Sequence, residues 1–203
     1  CVPSPLEDVT VVSKYGCKDL EDIQENYKGK LLGRGYWREV YLYKYKGEDI
    51  AVKTLRESQK PSRRNLERHR WEAAAMDALK DHPNIVHLRG ICGCEMVTEY
   101  FPFAMDEVLF SKDLPVPFRM VVEMALGAAR GLAALHGVEG GPVVHADLQP
   151  RQLLLNSEGV VKLNDLNRSR FMGRYPDRPD KPCPFRIAKA NGVWRSPEEY
   201  AEE

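Results

Sequence analysis

From Glu39 to Tyr45 the chain alternates, Val40 and Leu42 set against Tyr41, Tyr43 and Tyr45, the period of a β-strand. Lys46-Gly47-Glu48-Asp49 reads as a turn and residues 50–55 as the returning strand of a hairpin. That register puts Lys53 on one face with Ala51 and Leu55. Strand-like patterning starts at Lys30, whereas residues 1–26, with prolines at 3 and 5, have no clear period and read as an extension or linker. Leu66, Ala73, Met76 and Leu79 recur at helical spacing around the helix-favouring Ala73-Ala74-Ala75, and Asp81-His82-Pro83-Asn84 ends that helix. Residues 85–88 and 96–100 are short apolar stretches expected as strands on either side of a Gly-Cys turn. Val121, Met124, Ala125, Ala128, Leu132 and Leu135 describe the expected buried stripe of a long helix. Leu153-Leu154-Leu155 and residues 159–163 read as a further hairpin, while residues 168–194 show little periodicity. A stretch that long without elements is usually functional. Strands with one helix, then helices, make an α+β pattern with two lobes.

Composition excludes several classes. The 203 residues are 43% hydrophobic and 30% charged, so the chain can bury a core and is not disordered as a whole. Thirty basic side chains balance thirty acidic ones, which gives no global attraction to nucleic acid or to an anionic membrane. No apolar run approaches the ~20 residues of a membrane span. The best candidate, residues 120–136, is interrupted by Glu123 and Arg130. The chain opens on Cys1, not Met, so it carries no reading of a leader or anchor. Its five cysteines, at 1, 17, 92, 94 and 183, are scattered, and Cys92-Gly93-Cys94 is too close for the usual redox or zinc knuckle. Free thiols in a reducing, cytoplasmic compartment are the expectation. A Cys17 or Cys183 disulfide in a secretory or membrane-anchored setting is the alternative.

Taken singly, the candidate chemical residues are ordinary. Gly33-Arg34-Gly35 occurs in many turns, a strand lysine such as Lys53 is usually a surface charge, and Glu72 suits any solvated helix face. The basic stretch 56–70 suits a solvated loop and helix start. His145-Ala146-Asp147 and Asn164-Asp165-Leu166 could each be turn chemistry. Their order changes the weighing: a glycine turn, a strand Lys 20 residues after Gly33, a helix Glu, an Asp beyond a long helix, and another Asp 18 residues later.

In that order the sequence resembles the eukaryotic protein kinase family, from Gly33 to Glu198. Leu32-Gly33-Arg34-Gly35 is similar to the glycine-rich loop, Ala51-Val52-Lys53 to the lysine strand, and Glu72 with His82-Pro83-Asn84-Ile85-Val86 to the helix-C glutamate and its exit. Val97-Thr98-Glu99-Tyr100 resembles the gatekeeper and hinge, His145 to Gln152 the catalytic loop, Asp165-Leu166-Asn167 the D-F-G triplet, and Ser196-Pro197-Glu198 the A-P-E end. The resemblance implies a bilobal α+β fold, with an antiparallel sheet plus one helix in the N-lobe (27–99) and an incomplete, mainly helical C-lobe (100–203). It implies ATP-dependent phosphotransfer to a Ser/Thr or Tyr hydroxyl of a protein substrate. Lys53 would hold phosphates and Glu72 would aim it, Asp147 would take the hydroxyl proton, and Asp165 with Gln152 would bind Mg²⁺. Gly33 and Gly35 would admit the phosphates. Val40 and Ala51 would sandwich adenine, Thr98 would be the gatekeeper, and the backbone from Glu99 to Phe101 would bond the adenine edge.

The departures imply limits. Arg38 stands at the third glycine position, a change the family tolerates. Ala146 replaces the arginine that normally meets an activation-loop phosphate, so activation without that phosphate is expected. Gln152 stands where a metal-binding Asn is usual and is longer by one methylene, moving the donor by ~1.5 Å. Asn167 replaces the triplet glycine, a residue type that tolerates left-handed backbone. Gln149 replaces the usual lysine, which leaves the acceptor hydroxyl open. These departures support the competing reading, a pseudokinase serving as an ATP-binding or scaffolding module. Because the family's helices continue beyond the A-P-E triplet, residues 1–203 alone are expected to expose apolar surface on the long helix. Glu198 is expected to lack the arginine it normally pairs with.

Overall fold

The hairpin around Lys46 forms the middle of an antiparallel sheet. In the computed structural model, which describes residues 11, 13–59, 61–112, 115–185 and 194–197, five strands lie in the order β1 (Lys30–Arg34), β2 (Arg38–Tyr45), β3 (Glu48–Leu55), β5 (Glu95–Glu99) and β4 (Leu88–Cys92). Lys46 and Gly47 have φ of 50° and 84°, the left-handed pair of a type I′ turn, whose twist matches that of the flanking strands. Residues 85–88 do not form a strand as expected. Ile85 makes only an isolated bridge to Leu163, and β4 begins at Leu88.

The helix α2 (Arg63–Ala78) opens on Ser62, whose hydroxyl accepts a bond from the Asn65 amide. Its buried Ala73, Ala75 and Met76 join Met96 of β5 and Leu166 in the main core.

A helix also occupies part of the stretch expected to be an extension. Residues Cys17–Asn26 form α1, with Leu20 and Ile23 buried against Tyr45, Ile50, Val52 and Val97. The remaining α1 residues are mostly polar or charged, so its stripe is too short to stand out by period alone. Tertiary partners hold it: Tyr15 bridges Gly90 and donates its amide to the Arg89 carbonyl at 2.8 Å. A Cβ on Gly90 would lie 2.6 Å from the Tyr15 carbonyl oxygen, so only glycine admits this approach. With α1 covering the outer face, β3 buries both its sides, Ile50 and Val52 toward α1, Ala51 and Lys53 toward the cleft.

The free-thiol expectation is overturned. Cys17 of α1 and Cys92 of β4 are joined in a disulfide across a sequence separation of 75, and Cys183 is disulfide-bonded as well. Cys94 is free and buried. Closing a loop of that size restricts the unfolded chain, so reduction is expected to remove about 2–4 kcal/mol of stability. Thermal denaturation with and without reductant, beside a Cys17→Ser/Cys92→Ser double variant, measures this. Coincident curves for the wild type would refute it.

Below the sheet, β6 (Phe103–Ala104) pairs with β8 (Leu153–Leu155), which forms the expected hairpin with β9 (Val161–Leu163). The short α3 (Met105–Leu109) precedes α4 (Phe118–His136). The buried stripe of α4 is Met124, Gly127, Gly131 and Leu135. Of the stripe expected from sequence, Val121 and Ala125 are exposed, and Ala128 and Leu132 only partly covered. The glycines are there because a Cβ at Gly127 would sit 2.8 Å from Val161 Cβ, and one at Gly131 2.8 Å from the Asn84 carbonyl oxygen. Packing distance, not hydrophobicity, chose these residues.

The aperiodic stretch contains elements after all. The strand β10 (Arg170–Phe171) pairs with β7 (Val143–Val144), and β11 (Arg174–Tyr175) pairs with β12 (Arg178–Pro182). These strands are too short and polar to show a period. Glu198 and its expected arginine contact lie outside the described residues. No helix among those described is long and apolar enough to cross a membrane.

Candidate active site

Charges meet where β2, β3, α2 and the turn after β9 converge. Alternation along β3 turns Lys53 inward, opposite Val40 on one side and Met96 on the other. Helical spacing on α2 turns Glu72 toward it, fully buried. Lys53 Nζ donates to Glu72 Oε1 at 3.0 Å and to Asn164 Oδ1 at 2.9 Å. The other Glu72 oxygen accepts from Arg38 Nη2 at 2.6 Å, and the same nitrogen donates to Asp165 Oδ1 at 3.0 Å. Burial by itself would raise the Glu72 pKa, but the Arg38 and Lys53 cations overcome it and hold the carboxyl down at about 2. Burial opposes charge on Arg38 too, and the Glu72 and Asp165 carboxylates more than offset it, raising its pKa.

Asp165 has left-handed backbone, φ 58° and ψ 61°, strained for a non-glycine residue and sustained by its surroundings. The next residue, Leu166, is wholly buried in the core beneath α2, so the apolar plug locks the turn that presents Asp165. Asn167 follows within a short 3₁₀ turn, Leu166–Arg168.

The loop between β7 and β8 carries Asp147. Its amide donates to His145 Nδ1 at 3.2 Å, which leaves His145 Nε2 as the donor to the Asn164 carbonyl at 3.0 Å. This imidazole therefore ties the Asp147 loop to the Asp165 turn, and Ala146 between them also has positive φ, 59°. Asp147 Oδ1 accepts from Arg168 at 3.2 Å, and Oδ2 is 3.4 Å from the Gln152 amide nitrogen.

Burial lowers the pKa of His145, and it lowers that of His69, whose Nδ1 lies 2.6 Å from the Asn65 carbonyl. Burial thus disfavours the charged form of both imidazoles in the folded state, while the unfolded chain protonates them near 6.5. The unfolded state then binds more protons below that value, so stability falls as pH drops through it. Melting temperatures between pH 7.5 and 5.5 should decline, by up to ~1.4 kcal/mol per histidine per pH unit, and less steeply in His145→Gln. A flat profile would show these imidazoles to be accessible to protons.

These groups line one cleft of about 1060 Å³ between the sheet and the lower half. Gly33 and Gly35 form its roof. The Gly35 amide closes the loop on the Arg38 carbonyl at 2.8 Å, and a Cβ at Gly33 would meet nothing within 4 Å, leaving room for a phosphate to approach the backbone. Val40 and Ala51 line it from the sheet, and Thr98, buried opposite Ala51, from β5. Glu99 and Phe101 form the back edge. The Glu99 side chain is committed elsewhere, accepting from Lys162 Nζ at 2.6 Å and the His87 amide at 2.8 Å, so only its backbone is left to face a ligand. Asp147, Gln152 and Asp165 close the floor. Every residue to which the resemblance assigns a catalytic, nucleotide-binding or metal-binding role lines this cleft except Glu72, which lies behind Lys53.

Three residues escaped the sequence reading. Asn164 and Arg168 carried no signal. Arg38 stood out only as an absent glycine. Among the described residues no group of three His, Cys, Asp or Glu side chains could hold a metal ion. Asp165 with the Gln152 amide oxygen still offers the hard oxygen donors that Mg²⁺ takes, although Arg38 already holds one Asp165 oxygen.

The sequence pattern of the family described as protein tyrosine and serine/threonine kinase matches residues 27–202. A putative serine/threonine-protein kinase/receptor, R831, of Acanthamoeba polyphaga mimivirus is 32% identical over 81% of this chain and 10% of its own length. The probable serine/threonine-protein kinase PBL28 of Arabidopsis thaliana is 31% identical over 81% of the chain and 46% of its length. A G-type lectin S-receptor-like serine/threonine-protein kinase of the same plant, At2g19130, is 28% identical over 80% of the chain and 20% of its length. The chain thus spans less than half the length of each of these relatives.

Proposed function

The chain belongs to the protein tyrosine and serine/threonine kinase family, and we propose that it is an active member, transferring the γ-phosphoryl group of ATP to a protein Ser or Thr hydroxyl. The observation that carries this reading is the intact pair of Lys53 and Glu72 at 3.0 Å in the same cleft that Asp165 lines, since phosphotransfer in the family depends on that pair and that carboxylate. The serine/threonine names of the relatives favour that acceptor.

In this reading the adenine lies between Val40 and Ala51, and its edge bonds the backbone of Glu99 to Phe101. Lys53, aimed by Glu72, holds phosphate oxygens, while Gly33 and Gly35 let the backbone approach them. The acceptor oxygen attacks the γ-phosphorus as the bond to the β-phosphate oxygen breaks. ADP leaves, and Asp147 takes the hydroxyl proton. Mg²⁺ held by Asp165 and Gln152 would offset phosphate charge. Each protein group acts by position and charge, which is most of what this reaction needs.

The test is transfer from radiolabelled ATP by the full chain to protein and peptide acceptors, followed by phosphoamino-acid analysis. Phosphoserine or phosphothreonine is expected, and phosphotyrosine alone would move the acceptor. Binding of ATP without transfer would favour the scaffolding reading, which the Gln152 amide turned toward Asp147 supports.

The cysteines bear on where this happens. A Cys17–Cys92 disulfide persists in an oxidising compartment and is reduced in a cytosolic one, which supports a secretory or extracellular setting over the cytoplasmic one. Alkylation of the unreduced protein isolated from its native source should leave Cys17 and Cys92 unmodified. Their full alkylation would return the protein to a reducing compartment.

A further inference from the structure

We propose that Arg38 is a direct ligand of the nucleotide triphosphate, a built-in cation that lets this cleft bind ATP without a metal ion. The inference rests on reading the cleft as a nucleotide site and adds to it a residue outside the usual set.

The residue stands at the first position of β2, just past the glycine turn, where a side chain points under the loop into the cleft. It is only 7% exposed. One guanidinium nitrogen, Nη2, is gripped by two carboxylates, Glu72 at 2.6 Å and Asp165 at 3.0 Å. The other, Nη1, is buried and has no hydrogen-bond partner. A buried charged donor left unpaired is unfavourable, and such donors are rare in folded proteins. The guanidinium plane is rigid, so fixing Nη2 fixes Nη1 as well, and a phosphate oxygen entering the cleft that Arg38 lines would supply the missing acceptor.

Charge arithmetic names that acceptor. Arg38 and Lys53 are balanced within the cluster by Glu72 and Asp165, so the four groups together are neutral. Of the other arginines lining the cleft, Arg34 pairs with Glu39 and Arg168 with Asp147, and Arg68, over the Trp37 ring, adds a cation at its mouth. A triphosphate brings several negative charges and many acceptor oxygens, and a planar arginine fork suits phosphate well. Meanwhile the side chain expected to hold a second metal ion, Gln152, sends its amide nitrogen toward Asp147 at 3.4 Å. A fixed guanidinium in the phosphate region supplies the charge compensation which that metal site is poorly built to give. It also approaches from the Asp165 side, sharing a carboxylate with the primary metal position.

The proposal is tested by calorimetric titration of the full chain with ATP and with adenosine, each in EDTA and in Mg²⁺. The wild type should bind ATP measurably in EDTA. Arg38→Met should weaken metal-free ATP binding by roughly 10- to 100-fold, the range of a hydrogen bond to a charged group, and leave adenosine binding unchanged. Arg38→Lys should recover part of the loss. An equal loss of ATP and adenosine binding would mean that Arg38 only shapes the cleft, and would overturn the proposal. ATP binding by the wild type that vanishes in EDTA would overturn it without any variant, even should Arg38→Met fail to fold. If Mg²⁺-ATP still binds and phosphate is still transferred in that case, the kinase reading stands and only the role of Arg38 falls. No nucleotide binding under any condition would overturn both.

Discussion

Glu72→Gln should melt about 10 °C below the wild type and lose nearly all phosphotransfer. Glutamine keeps the shape of the side chain and removes its charge, so any effect reports electrostatics. In the folded protein Glu72 is fully buried and shared by two cations, Lys53 Nζ at 3.0 Å and Arg38 Nη2 at 2.6 Å. Neutralising it leaves those cations facing each other with Asp165 as the remaining carboxylate in the cluster. Breaking a buried ion pair from one side typically costs about 3–5 kcal/mol, because the partner's charge stays buried without compensation. For a chain of this size each kcal/mol is worth about 2–4 °C. The sign of the pH dependence follows from the lowered pKa. A carboxyl held near 2 in the folded state and 4.5 otherwise contributes fully above 4.5, and loses its contribution as pH falls toward 2. The gap between wild type and Glu72→Gln should therefore persist at neutral pH and narrow below 4.5. Adding Arg38→Met should return part of the lost stability by removing one stranded cation, a coupling that a double-mutant cycle measures. Equal melting temperatures for wild type and Glu72→Gln would show that the cluster is hydrated and adds no stability.

Asp147→Asn is expected to reduce turnover by about 10²–10⁴-fold, the usual weight of a positioned general base. ATP affinity should change little, since Asp147 faces the acceptor side of the cleft and the phosphate cations are Lys53 and, as proposed, Arg38. The variant should also fold, because it keeps the backbone amide bond to His145 and an amide oxygen that can still accept from Arg168. Quantitative transfer assays beside ATP titrations separate the two effects. Equal transfer by wild type and variant would point to a contaminating kinase and would favour a binding module. The carboxylate in this structure is engaged by Arg168 at 3.2 Å, so a substrate hydroxyl must compete with that arginine for the same oxygen. Activation-loop phosphorylation was expected to be dispensable because Ala146 replaces the usual arginine. Arg168 now provides a cation near Asp147 from a different position in the chain.

Much of the fold was readable because it is local. The β2–β3 hairpin needs only alternation and a Lys-Gly turn, and α2 only apolar spacing around a run of helix-favouring alanines. What escaped the sequence was held together from afar. Helix α1 has just Leu20 and Ile23 on its buried face, and it exists as a docked element through Tyr15, Gly90 and the Cys17–Cys92 bond. The stripe of α4 was misplaced for a related reason. A period can show which residues are apolar, but not that β9 and Asn84 come so close that only Gly127 and Gly131 fit. Short strands such as β10 and β11 have too few residues to carry a period at all.

The sequence alone marked the family, since order and spacing among Gly33, Lys53, Glu72, Asp147 and Asp165 need no coordinates to be read. It determined that Lys53 shares a face of β3 with Ala51, because side chains alternate along any strand. Only the tertiary structure decided which partners those charges meet. It brought Arg38 to Glu72 and Asp165 across separations of 34 and 127 residues, and Cys17 to Cys92 across 75. The physical reason is the range of the forces. Periodicity and turn chemistry act over a few residues and are written along the chain. Ion pairs, disulfides and close backbone contacts act over a few ångströms, and the fold alone sets which residues lie that near.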